Sequence, residues 1–136
     1  LPIWILGPVV DDHDGILLKI EGDSMLILFR NPEKALKATA VMQRVCAGYN
    51  EDRAEEDRVL LCAGIGFGPV LRIGDADVFG KEVNSASKLG EDTAGAGEIL
   101  VTQAVVDAVD GAGEYRFEAL ADTPHAVGAA YRYVYR

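Results

Sequence analysis

"LLKIEGDSMLILF", Leu17 to Phe29, is the stretch on which the fold turns. Two apolar runs flank Glu21-Gly22-Asp23-Ser24, and Lys19 interrupts the first of them. Alternation across "GILLKIEG" predicts a strand, with Ile16, Leu18 and Ile20 on one face and Leu17 and Lys19 on the other. "SMLILF" predicts its partner, with Met25, Ile27 and Phe29 sharing a face. A short polar connection between two such runs is a hairpin signal. Two charges on a core hairpin then need a reason. One reading is a local ion pair between Lys19 and Asp23 at the hairpin mouth. The other is that Lys19 donates to a ligand while Asp23 holds a cation.

Working outward, "RNPEKALKATAVMQRVCAGYN" predicts a helix. Asn31 suits the N-cap, Pro32 suits the first helical position, and Gly48 is a natural stop. Ala35, Ala38, Met42, Val45 and Cys46 recur at helical spacing and define a core-facing stripe. Upstream, "IWILGPVVDD" reads as the end of a helix or a loop onto the core, interrupted by Gly7 and Pro8. "NEDRAEED" reads as a solvated acidic connector, since arginines alternate with its carboxylates.

"RVLLCAGIGFG" predicts the next strand, and "PVLRIG" continues or pairs with it. "GKEVNSASKLGED" predicts a helix opening after Gly80. "GEILVT" reads as a strand, "QAVVDAVDG" as a short helix, and "EYRFEAL" and "AYRYVYR" as two terminal strands. The order (α)ββαββαβαββ mixes hairpins with helices. It predicts an α+β fold with a mixed or antiparallel sheet and helices packed on it. Strict βαβ alternation is absent, which argues against a doubly wound fold.

The bulk composition is that of a soluble globular chain. Its 136 residues fit a single domain, taken as 1–136, with 49 % hydrophobic and 26 % charged residues. No apolar run reaches membrane-span length and no signal-peptide pattern opens the chain, so a cytoplasmic location is expected. The net charge of −9 disfavours nucleic-acid backbone and anionic lipid as partners. Cys46 and Cys62 both lie in apolar segments and read as buried free thiols. His13 and His125 have no Cys or His neighbours at zinc-site spacing.

Among candidate motifs, "GIGFG" (Gly64 to Gly68) is neither Gly-x-Gly-x-x-Gly nor a P-loop. Its glycines read as permitting close packing or a strand bulge. Asn84 and Lys88 are four apart, so a helix over 81–90 puts them on one face with Lys81. An amide and a cation there can clamp a phosphate, or simply form a polar helix surface. Asp75 and Asp77 precede this helix and suit turn chemistry or its N-terminal dipole.

Taken in order, these segments resemble the class III nucleotidyl cyclase catalytic domain, the family of adenylate and guanylate cyclases. "KIEGDSMLILF" is similar to the family's Lys-x-x-Gly-Asp hairpin, and "NPEKALKATAVMQ" to the helix after it. "GIGFGPVLRIG" resembles the glycine-rich strand pair, with Phe67 where His is common. "DVFGKEVNSASKL" resembles Asp-x-x-Gly-x-x-Val-Asn-x-Ala-x-Arg, and "AGEILVT" the strand beyond. The likeness spans roughly residues 8–108.

The resemblance implies a ferredoxin-like α+β core and a homodimer with sites at its interface. It implies conversion of ATP to 3′,5′-cyclic AMP and pyrophosphate with Mg²⁺ or Mn²⁺. Asp23 matches a metal aspartate, Lys19 and Asp77 the purine readers, Asn84 the ribose-positioning asparagine, and Lys88 the transition-state arginine. Lys19 with Asp77 is the ATP-reading combination rather than the GTP-reading one. Three departures stand out. The family's other metal aspartate, on a preceding strand, is not in this sequence. Lys88 lacks arginine's bidentate fork. "EALADTPHAVGAAY" has no lysine where the family often binds phosphate, and His125 there reads as a solvent-exposed loop residue. The alternative these departures leave open is a catalytically impaired, dimerising, nucleotide-binding regulatory module. A diguanylate cyclase fits poorly, since no Gly-Gly-Asp-Glu-Phe motif occurs.

Overall fold

The computed structural model describes residues 3–74 and 77–135. They fall into two compact units, one through Leu61 and one from Cys62.

The first unit contains α1 (Ile3–Asp12), β1 (Ile16–Glu21), β2 (Ser24–Leu28) and α2 (Pro32–Asn50). Its core joins Leu6, Val9 and Val10 of α1 to Ala38, Met42 and Cys46 of α2, with Met25 and Ile27 of β2 packed against them. That apolar face holds α1 helical through Pro8, which sits inside it, so the segment is a full helix. Asn31 caps α2 as expected, its Oδ1 accepting from the Lys34 N–H at 2.9 Å. The helix does not stop at Gly48 but runs on to Asn50. The Asn50 amide donates to the Val59 carbonyl (2.8 Å) and accepts from the Val59 N–H (2.7 Å), tying the returning chain to the helix end. The acidic connector between them is an exposed 3₁₀ turn at Glu55–Asp57.

β1 and β2 form the expected antiparallel hairpin. Gly22, at φ +59°, starts the tight turn, a conformation that glycine adopts without penalty. The simple alternation along β1 does not hold. Leu17 pairs with Ile27 and Lys19 with Leu26, so Leu18 is an extra residue in a β-bulge. Leu18 is buried while Ile16 and Ile20 are exposed.

The second unit contains β3 (Ala63–Ile65), β4 (Leu71–Ile73), β5 (Asp77–Phe79), α3 (Lys81–Lys88), β6 (Ile99–Thr102), α4 (Gln103–Val109), β7 (Phe117–Ala119) and β8 (Ala130–Tyr133). A four-stranded mixed sheet runs β3-β6-β8-β7, with β3 parallel to β6 and the other pairs antiparallel. β6 is buried along its whole length. Leu89, Leu100 and Ala130 form a buried cluster in this unit. The α+β expectation therefore holds.

Three details differ from the sequence reading. The strand in "RVLLCAGIGFG" is confined to three residues. "PVLRIG" supplies β4, which pairs with the unanticipated β5. Asp77 thus opens a strand rather than a pre-helix turn, and Asp75 lies outside the described residues. Cys62 is a free thiol but exposed, since it precedes edge strand β3; only Cys46 is buried. Burial raises the Cys46 thiol pKa.

Candidate functional site

The glycines of "GIGFG" are sites of close approach. A Cβ on Gly64 would collide with the Ala86 carbonyl and lie 2.6 Å from the Gly90 nitrogen. One on Gly66 would collide with the Glu82 carbonyl. Hydrogen side chains here let α3 lie directly on β3 and the segment after it. Leu89 continues α3 into a π-type turn, closed by the Ala94 N–H donating to the Leu89 carbonyl at 2.7 Å.

With that face of α3 against the sheet, its other face carries Lys81, Asn84 and Lys88, as the i, i+4 spacing predicts. All three line an open cleft of about 590 Å³, together with Glu91 and Asp92 of the π turn and Ala126 of the β7–β8 connection. Asn84 and Lys88 are both exposed to solvent there. The neighbouring His125 is an exposed loop residue, as expected. The cleft sets an amide, two ammonium groups and the hydroxyls of Ser85 and Ser87, groups that can contact a phosphate, beside the carboxylates of Glu91 and Asp92. Asp77, partly buried, sits on β5 four residues before the start of α3.

Lys19 and Asp23 belong to the first unit. Lys19 Nζ pairs with Glu21 Oε1 at 3.0 Å, so the local ion pair at this hairpin is Lys19–Glu21 rather than Lys19–Asp23. The register explains it: past the bulge, residues 19 and 21 are two apart on one face of β1. Asp23 stands exposed on the turn. Among the described residues no group of three or more His, Cys, Asp or Glu side chains could hold a metal ion. One turn carboxylate does not by itself make a two-metal site.

Glu82 escaped the sequence reading. Its Oε1 accepts from the Phe67 N–H at 3.0 Å and from the Thr102 hydroxyl at 2.6 Å. The available signal was its phase: Glu82 shares the sheet-facing side of α3 with Ser85 and Leu89, both buried.

The protein named "Putative adenylate cyclase 3" of Rhizobium meliloti (strain 1021) is 30 % identical over 107 residues, covering 79 % of this chain and 18 % of its own. A serine/threonine-protein kinase, pkn2, of Myxococcus xanthus is 33 % identical over 101 residues, covering 74 % of this chain and 12 % of its own. The chain thus spans less than a fifth of either relative. The crystal structure of an adenylate/guanylate cyclase/hydrolase from Silicibacter pomeroyi superposes with a TM-score of 0.81 at 24 % identity, covering 96 % of this chain and 78 % of that one. The chain has the adenylate/guanylate cyclase catalytic-domain fold. No family model matches it. Within this cyclase-like domain, α3 carries the polar cleft and β1–β2 the hairpin with Lys19 and Asp23. No helix among the described residues is long and apolar enough to cross a membrane.

Proposed function

We propose that this domain converts ATP to 3′,5′-cyclic AMP and pyrophosphate, as a homodimer with its sites at the interface. The observation that carries the reading is the cleft that Asn84 and Lys88 share on α3. In the reaction, the ribose 3′-oxygen attacks the α-phosphorus and the bond from that phosphorus to the β-phosphate bridge oxygen breaks. Pyrophosphate leaves, and the hydroxyl proton passes to solvent. Asn84 holds the ribose, which turns the attack into a pre-aligned intramolecular step. Lys88 faces the charge that grows on the α-phosphate oxygens. Lys19 and Asp77 read the adenine edge, with Lys19 exchanging Glu21 for the base.

Mg²⁺ or Mn²⁺ is the proposed companion of ATP at Asp23, where it would neutralise phosphate charge. The described residues do not complete a site for it, so no step is assigned to the cation. The test is cyclic AMP formation from Mn-ATP by the full-length protein. Wild type is expected to exceed Asp23→Ala by at least about tenfold; equal background rates would end the catalytic reading.

A second reading is a regulatory module in signal transduction that binds nucleotide without turnover. Lys88, the lysine-free β7–β8 connection and the relative named as a kinase favour it. It predicts calorimetric ATP binding without product, and no activity gained by Lys88→Arg.

A further inference from the structure

We propose that Glu82 is a positioning residue that fixes the height of α3 on the sheet and thereby the places of Asn84 and Lys88. The inference rests on the cyclase reading for its kinetic consequences, though not for its geometry. A single oxygen, Glu82 Oε1, takes the Phe67 N–H from the glycine stretch and the Thr102 hydroxyl from the end of β6. Those two groups lie on the chain before and after α3, so one carboxylate ties the first turn of the helix to both.

The surroundings are built to let it reach. A Cβ on Gly68 would stand 2.9 Å from Glu82 Cγ, and one on Gly66 would collide with the Glu82 carbonyl. Any side chain at Gly66 would push this turn off the sheet, and one at Gly68 would displace the Glu82 side chain. No side chain caps that end of the helix, since Gly80 occupies the N-cap position.

Thr102 supplies an independent sign. It is the N-cap residue of α4, where a threonine oxygen ordinarily accepts from an N–H of the first turn. Here it makes no such bond, and its buried hydroxyl donates to Glu82 instead. The chain forgoes a local cap to keep a tertiary tether.

Asn84 follows Glu82 by two residues and Lys88 by six, on the opposite, cleft-facing side. A helix rises about 1.5 Å per residue. A slip of that order moves both groups by more than the tolerance of a pre-aligned reaction.

The experiment compares Glu82→Ala, Glu82→Gln and Thr102→Val with wild type in the full-length protein. Steady-state kinetics on Mn-ATP are read together with hydrogen exchange at the Phe67 amide. Gln keeps an oxygen able to accept both bonds, so Glu82→Gln is expected to stay within about threefold of wild-type kcat. Glu82→Ala should lower kcat by about tenfold or more, change KM by less than about threefold, and speed Phe67 exchange by at least about tenfold. Thr102→Val, whose shape suits a buried strand position, should lower kcat by about threefold. Wild-type kcat and exchange in Glu82→Ala would overturn the proposal, as would a Gln variant as impaired as the Ala one. Should wild type form no cyclic AMP, the cyclase reading falls on its own. Phe67 exchange then still decides the tether: unchanged protection in Glu82→Ala overturns it, and lost protection restored by Gln supports it.

Discussion

Lys88 keeps a positive charge where the family resemblance calls for arginine. An ammonium is a compact charge that meets one phosphate oxygen at a time, whereas a guanidinium can span two. If the cleft is catalytic, Lys88→Arg should raise kcat by about threefold to tenfold and Lys88→Ala should lower it by about a hundredfold. An unchanged rate in Lys88→Ala would remove this residue from the chemistry. Glu98 gives a pH-dependent counterpart. The Gly95 N–H, and then Arg132, hold its carboxyl below the usual glutamate range. The folded chain thus gives up this proton more readily than the unfolded chain. The stability from Glu98 is complete above its unfolded pKa, about 4.3, and is lost as pH falls through the lower folded value. Thermal melts at stepped acid pH should therefore show a steeper fall of Tm below about pH 5 for wild type than for Glu98→Gln. Parallel slopes would show that the pair adds nothing.

At the scale of elements, what sequence reveals depends on how local the cause is. Helix α2 was legible because Asn31 and Pro32 act on their own first turn. The β1–β2 hairpin was legible because Gly22 and the flanking apolar runs suffice to specify it. The bulge at Leu18 was not, because it is a property of the register with β2 rather than of β1 alone. Strand β5 escaped for the same reason, being defined by its pairing with β4. The shared face of Asn84 and Lys88 followed from helical spacing, whereas Glu82 acts through partners about fifteen to twenty residues away, invisible to any local pattern. The glycine stretch shows a cause that is half visible: its packing role was readable, but not that α3 is what packs on it. Gly64→Ala makes that concrete. The new methyl must displace the Ala86 carbonyl and the Gly90 amide, both backbone. Overpacking of this kind costs roughly 3 kcal/mol. Denaturant unfolding of Gly64→Ala should show a loss of that order, against a gain of up to about 1 kcal/mol for Gly7→Ala, inside α1, where a Cβ meets nothing. A Gly64→Ala variant as stable as wild type would mean that α3 does not lie so close.

At the scale of the whole molecule, the β4–β5 hairpin bears on assembly. Leu71 pairs with Phe79 and Ile73 with Asp77, so these four residues share one face of the hairpin. Leu71, Ile73 and Phe79 are 62 %, 57 % and 53 % exposed, while Val78 on the other face is buried. An acidic chain of net charge −9 gains nothing from leaving three large apolar side chains in water. Covering this face with a second copy would remove them from water and would bring Asp77, the proposed adenine reader, to the interface as well. On the proposed function, assembly and catalysis would be one event. Wild type should show a rate per chain that rises with protein concentration. Leu71→Asp should shift the protein towards monomer by light scattering and lower cyclic AMP formation by at least about tenfold. Arg72→Ser, on the opposite face, should leave both unchanged. A Leu71→Asp variant that stays dimeric and active would place the interface elsewhere. One that turns monomeric yet keeps its full rate would show that the site is complete within a single chain.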